Sequence, residues 1–354
     1  MRIMAALFQY PAINAKLKAL SSKMLKEEDF QNLIELNSVQ EAFNYLYDNT
    51  YYHKDLEDIS GQEIHRRQLE LNLKKSLVFS EDFLNKYLSS DLKNFVEHYF
   101  KKFEIEDLKI ILRTILMENE EDYLSDNLIY IDRNQKINFN NLIQASSYEE
   151  IQEVLKELHY AEILDEFAEQ YQQNKNLFQI EMTLDFHYFS RLNDLAAEFS
   201  NKDQKYFNKI IGTQIDLLNI QWIYRIKKYY NLSSGEILNY IIPFHFKITR
   251  EELRKMSQVD NPNNLVKQIS YAPYQRLLEK AVEDVNNIFE RFFLNYIFMQ
   301  LQQIKSESFF TISNILAYLY LREYELRDII TIIEGIRYSL PDDRIKNFLI
   351  RKEV

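Results

Sequence analysis

The 354-residue sequence has no cysteine, five prolines and only four glycines. Average usage of about 7 % would place roughly 25 glycines in a chain of this length. Gly61, Gly212, Gly235 and Gly335 lie so far apart that no two share a short loop. That excludes the P-loop, the dinucleotide fingerprint and the nucleophile elbow, which need clustered glycines to turn sharply or approach a phosphate. Without cysteine there are no thiolate nucleophiles, cysteine–zinc sites or disulfides, which fits a cytosolic address. Long apolar runs are missing too. The longest stretch free of Asp, Glu, Lys and Arg is 14 residues, 308–321, whereas a spanning helix needs about 20 apolar residues. Residues 1–8 carry one Arg and a short apolar run before Gln9, Tyr10 and Pro11, which is not a secretory signal. A soluble chain is expected.

Positive charge is also in deficit. Lys plus Arg is 43 against 54 for Asp plus Glu, a net charge of −11. Such a chain is a poor candidate for phosphate-backbone binding, so no nucleic-acid partner is expected. The 46 % hydrophobic and 14 % aromatic content is ample for packed cores and excludes global disorder. The length favours two or three domains.

What is present is helical patterning. Ile151, Val154, Leu155 and Leu158 fall on one helical stripe with Glu and Lys between them. Capping boxes predict helix starts at Ser38/Glu41, Ser60/Glu63, Ser147/Glu150, Ser233/Glu236 and Thr249/Glu252. Asn261-Pro262 reads as a cap followed by a first-turn proline. Residues 237–246 are rich enough in Ile and aromatics to suggest a strand, but Pro243 interrupts them. The expected fold class is all-α.

An acidic–x–x–polar–Ile pattern occurs three times, as Glu106 to Ile110, Asp216 to Ile220 and Glu325 to Ile329. Its spacings are 216 − 106 = 110 and 325 − 216 = 109. A second pattern pairs Leu25 with Phe30, Ile137 with Leu142 and Ile248 with Leu253, at spacings of 112 and 111. Two independent patterns at one period predict three homologous helical-bundle domains, 1–122, 123–233 and 234–354.

The opening Tyr10-Pro11-Ala12-Ile13-Asn14-Ala15-Lys16-Leu17-Lys18, running on to Leu25, resembles the N-terminal signature of the central-stalk subunit of V/A-type rotary ATPases. That family is known as the C subunit in archaeal and bacterial complexes and as the d subunit, the 39-kilodalton accessory protein, in eukaryotic ones. Asp216-Leu217-Leu218-Asn219-Ile220-Gln221-Trp222-Ile223 resembles its second recurring segment. The resemblance covers essentially the whole chain. It implies a pseudo-threefold funnel of helical bundles that sits on the membrane rotor ring and receives the tip of the central shaft. It implies no active site, only coupling of ATP hydrolysis or synthesis to proton or sodium transport, on the cytoplasmic face of the membrane. Pro11 departs from the family pattern and could displace the start of the first helix. The rival reading is a cytosolic all-helical adaptor or scaffold.

Residues with chemical potential have plain alternatives. The histidines His53, His65, His98, His159, His187 and His245 lack helical metal-site spacing. Glu149-Glu150, Glu251-Glu252 and Asp342-Asp343 suit helix starts. No catalytic residue, cofactor, metal or small-molecule substrate is expected. Partner contacts are expected from the basic first helix, through Asn14, Lys16, Lys18 and Lys23, and from the polar sides of the repeated helices, through Lys109, Arg113, Asn219, Gln221, Arg225 and Arg327. In a closed threefold arrangement those polar sides would line a central opening. Trp222 is expected in a core or an interface.

Overall fold

A computed structural model describes residues 2–61, 63–116, 128–134, 136–174, 176–230, 232–283, 289–304 and 311–351. Every regular element among them is helical, so the fold is all-α. The helices begin with α1 (Arg2–Ser21), α2 (Glu27–Ile34), α3 (Val39–Asn49), α4 (Arg66–Asn85), α5 (Ser90–Leu116) and α6 (Phe139–Gln144). They continue with α7 (Tyr148–Leu155), α8 (His159–Asn174), α9 (Phe178–Ala197), α10 (Asn201–Phe207), α11 (Thr213–Tyr229) and α12 (Ser234–Tyr240). The last are α13 (Arg250–Gln258), α14 (Ala272–Glu283), α15 (Phe289–Ile304), α16 (Ser313–Arg337) and α17 (Asp342–Phe348).

Side-chain oxygens of Ser38, Ser147, Ser233 and Thr249 accept from the backbone N–H three residues on, and each starts a helix. At Ser233 and Thr249 the glutamate also reaches back, completing the box. Ser60 does not start one. It closes a short 3₁₀ turn, and Gly61 then takes a left-handed backbone (φ 78°) that no helix start uses. The next helix, α4, is capped instead by the His65 ring, which accepts from the Arg67 N–H. Asn261 and Pro262 open a 3₁₀ segment as cap and first-turn proline. Residues 237–246 leave α12 at Tyr240 and run on without forming a strand. Pro11 lies inside α1, which runs through it from Arg2 to Ser21.

The chain packs as two compact units, one made of Met1–His53 with Asn193–Val354 and the other of Lys54–Leu192. In the first unit α16 is the core helix, packed against α1, α2, α3, α10, α15 and α17. The opening signature explains itself here. Tyr10, Ile13, Asn14 and Leu17 are one helical face of α1, and all four are buried. In the second unit α4 packs on α5, and α7 on α6 and α8.

Where α16 meets α17 only glycine fits. A Cβ on Gly335 would stand 2.6 Å from Ile345 Cγ1. The helix then ends in a Schellman turn, with Leu340 N–H donating to Gly335 C=O and Ser339 N–H to Ile336 C=O. The residue in left-handed backbone there is Ser339 (φ 52°), a position that usually carries glycine. Ser339→Gly is therefore expected to stabilise the protein by about 1 kcal/mol. A thermal melt checks this, and a lowered midpoint would contradict it.

Candidate functional site

The long helices α5, α11 and α16 carry buried polar groups aimed at backbone, and these groups organise the molecule. In α11, Asp216 accepts from Phe246 N–H (2.9 Å), Lys247 N–H (2.7 Å) and Ile248 N–H (3.4 Å). One turn on, Asn219 holds both backbone groups of Ile242, donating to its C=O (3.2 Å) and accepting from its N–H (3.0 Å). In α16, Glu325 accepts from Leu25 N–H (2.7 Å) and Asp328 from Ile350 N–H (2.7 Å). Glu325 and Asp328 thus repeat the roles of Asp216 and Asn219 at the 109-residue spacing read from the sequence. Leu25 and Ile248, paired by the second sequence pattern, are the N–H donors in the two copies.

In α5 the acid that does this work is Asp107, not its neighbour Glu106. Asp107 is buried and accepts from Ile129 (3.0 Å), Tyr130 (2.6 Å) and Ile131 (2.8 Å) N–H groups. Glu106 is exposed. One residue along a helix is about 100° of rotation, enough to exchange a buried role for a solvated one.

Glu325 is the centre of the largest of these clusters. Tyr51 hydroxyl (2.7 Å), Tyr52 hydroxyl (3.0 Å) and Arg322 (3.0 Å) all donate to its Oε1. Arg322 donates also to the Tyr52 hydroxyl (2.6 Å), and its guanidinium faces the rings of Tyr51 and Tyr52. Arg351 adds charge at 3.5 Å from Glu325 and 3.6 Å from Asp328. Burial pushes the Arg322 guanidinium down to about 10, so it stays a cation at neutral pH. Burial pushes the Glu325 carboxyl up, against the pull of Arg322 and Arg351. The arrangement is an internal tie that joins residues 25, 51 and 52 to the last long helix.

Asp328 yields a pH prediction. Burial raises its carboxyl from 3.8 to about 6, with the Ile350 N–H and Arg351 pulling the other way. A folded-state value above the unfolded one means that the unfolded chain releases this proton first. The contribution to stability is then complete below about pH 4 and is lost as pH rises to about 6, at up to ~1.4 kcal/mol per unit. Asp328→Asn keeps an acceptor for Ile350 and removes the titration. Its stability is expected to vary less between pH 4 and 6 than that of the parent, measured by urea unfolding at each pH. Parallel curves would contradict the assignment.

The residues expected to touch partners divide in two. Lys16, Lys18, Lys23, Arg113, Arg225 and Arg327 are exposed. Asn14, Lys109, Asn219 and Gln221 are buried. Lys109 is bound by Asp185 (2.5 Å) and Glu106 (3.1 Å), and although burial works against its charge, the two carboxylates hold its pKa above the ordinary value. Arg113 grips Glu181 through two bonds of 2.6 Å. Arg327 pairs with Glu290 (2.9 Å) and Glu323 (3.3 Å). Lys109 and Asn219 therefore bond within their own units. Trp222 is buried, as expected of a core residue.

Two histidines that the sequence separates by 28 residues meet in space. His159 Nε2 lies 3.1 Å from His187 Nδ1, and Glu162 holds the other His159 nitrogen at 2.8 Å. No local spacing signals this pair, because the rings come from different helices, α8 and α9. Among the described residues no group of three or more His, Asp or Glu side chains could hold a metal ion. Nor is any helix among them long and apolar enough to cross a membrane.

A family model described as ATP synthase (C/AC39) subunit matches residues 13–348. The chain is similar to the C subunit of the A-type ATP synthase from Methanosphaera stadtmanae, 25 % identical over 351 residues that cover 97 % of this chain and 88 % of the relative. It is similar also to the protein of the same name from Methanosarcina mazei, at 22 % identity over 95 % of this chain and 91 % of the relative. A third such protein, from Methanocaldococcus jannaschii, is 23 % identical over 96 % of this chain and 86 % of its own length.

Proposed function

The chain belongs to the ATP synthase (C/AC39) subunit family, and from that premise we propose that it is a non-catalytic rotor component of a V/A-type ATPase, coupling nucleotide turnover in the head to proton or sodium movement through the ring. The observation that carries this reading is the match along nearly the whole chain, with relatives named as the C subunit of A-type ATP synthases over 95 % or more of its length. Other subunits of the complex are its partners. The finer reading adds the central shaft on one side and the membrane rotor ring on the other, with the chain peripheral on the cytoplasmic face.

The proposed body is three repeats, 1–122, 123–233 and 234–354, around a pseudo-threefold axis. Support comes from the 109-residue equivalence of Asp216 with Glu325 and of Asn219 with Asp328, each pair making the same kind of backbone bond. A torque-transmitting part must be stiff, and helices tied by buried acid-to-backbone bonds suit that need. The exposed Lys16, Lys18, Lys23, Arg113, Arg225 and Arg327 are the proposed partner contacts. The buried Asn14, Lys109, Asn219 and Gln221 support the body that presents them.

Deleting the gene is expected to abolish ATP-driven ion pumping while the detached head still hydrolyses ATP. Purification of the native protein should bring down other ATPase subunits. Pumping that survives deletion intact, or co-purification of unrelated proteins alone, would overturn the reading.

A further inference from the structure

The two most exposed large hydrophobic side chains among the described residues are Tyr229 (66 %) and Tyr338 (64 %). They are equivalent: 338 − 229 = 109, the spacing that relates Asp216 to Glu325. Each stands at the C-terminal end of a long helix, just after a cation that lies beside its ring. Lys228 Nζ is 5.3 Å from the Tyr229 ring centre, and Arg337 Cζ is 5.0 Å from that of Tyr338.

Their electrostatic settings differ. Around Tyr338, Arg337 is paired with Glu334 (3.6 Å), and Asp342 and Asp343 follow at the start of α17. Around Tyr229 the last turn of α11 carries Lys227 and Lys228, with Arg225 one turn before Tyr229; Glu236 follows at the start of α12, but among the described residues none of the three cations has a carboxylate within 4.0 Å. A helix C-terminus favours cations there, but one or two serve that purpose. Three cations and a projecting tyrosine on a chain of net charge −11 are a concentrated positive tip on a negative body.

We propose that the C-terminal tip of α11, built from Arg225, Lys227, Lys228 and Tyr229, docks on an anionic phospholipid surface. Tyrosine and lysine are the side chains that settle at a headgroup layer, the ring partly immersed and the ammonium among phosphates. Tyr229 projects into solvent. Lacking a membrane-crossing helix among its described residues, the chain would meet a bilayer only at its surface. The biological setting rests on the proposed membrane-peripheral role; the binding itself does not.

The test uses the full chain and sedimentation with vesicles of phosphatidylcholine alone or with about a third phosphatidylglycerol. Binding is expected to the anionic vesicles only and to weaken as salt rises. Lys227→Gln with Lys228→Gln should weaken it about 25-fold, close to fivefold for each cation. Tyr229→Ala should weaken it as well, while Tyr338→Ala, at the charge-balanced tip, should leave it unchanged. Circular dichroism melts confirm that these surface variants remain folded. Absence of binding to anionic vesicles, or equal binding by the double lysine variant, overturns the proposal. Because no other ATPase component is in the assay, that failure leaves the rotor reading to stand or fall on co-purification.

Discussion

Glu325→Ala is expected to lower the stability of the first unit by about 3–5 kcal/mol, a large part of the ~5–15 kcal/mol that holds an ordinary domain folded. The substitution removes the acceptor shared by Leu25 N–H, Tyr51, Tyr52 and Arg322. The main penalty is the Arg322 cation left buried without its counter-charge. Removing both charges should hurt less than removing one, so Arg322→Met placed with Glu325→Ala is expected to recover much of the loss. Trp222, the only tryptophan, lies in the same unit and reports its unfolding by fluorescence in urea. A shift of less than 1 kcal/mol for the single variant, or no recovery in the double, would show that the tie contributes little.

Asp107→Ala should cost a similar ~3–5 kcal/mol, because it orphans three backbone N–H groups at roughly 1–3 kcal/mol each, offset in part where water can reach them. Glu106→Ala, one residue away, should stay within about 0.5 kcal/mol, since that side chain is 58 % exposed and Lys109 keeps Asp185 as a partner. Urea unfolding followed by circular dichroism compares the two, and hydrogen exchange at residues 129–131 gives a local readout. Equal effects at the two positions would refute the assignment of Asp107 as the backbone holder.

These two adjacent acids show how far the sequence could be read. The capping residues Ser38, Ser147, Ser233 and Thr249 and the all-helical class were legible because each depends on residues a few positions apart. The threefold pattern aligns on Glu106, since acidic residues at 106 and 107 are interchangeable on paper. Only their direction from the helix axis separates them. Lys109 and Asn219 carry polar groups whose burial is hidden for the same reason: a polar side chain among aliphatic ones carries no mark of whether water or a buried acceptor will satisfy it. Ser60 misled because a cap requires extended backbone leading into a helix, and Gly61 bends the chain the other way.

Composition and local spacing determined that the chain is helical, that two residue patterns each occur three times at spacings of 109 to 112, and that it lacks the glycine and cysteine devices of common enzyme sites. Tertiary structure decided which acids hold backbone and which face water, that residues 25, 51 and 52 are joined to position 325, and that His159 meets His187. The division follows from the range of the forces. Helix propensity and capping act within one turn, so they are written in neighbouring residues. Burial and the pairing of buried charges depend on chain segments brought together across hundreds of positions, where no local pattern records them.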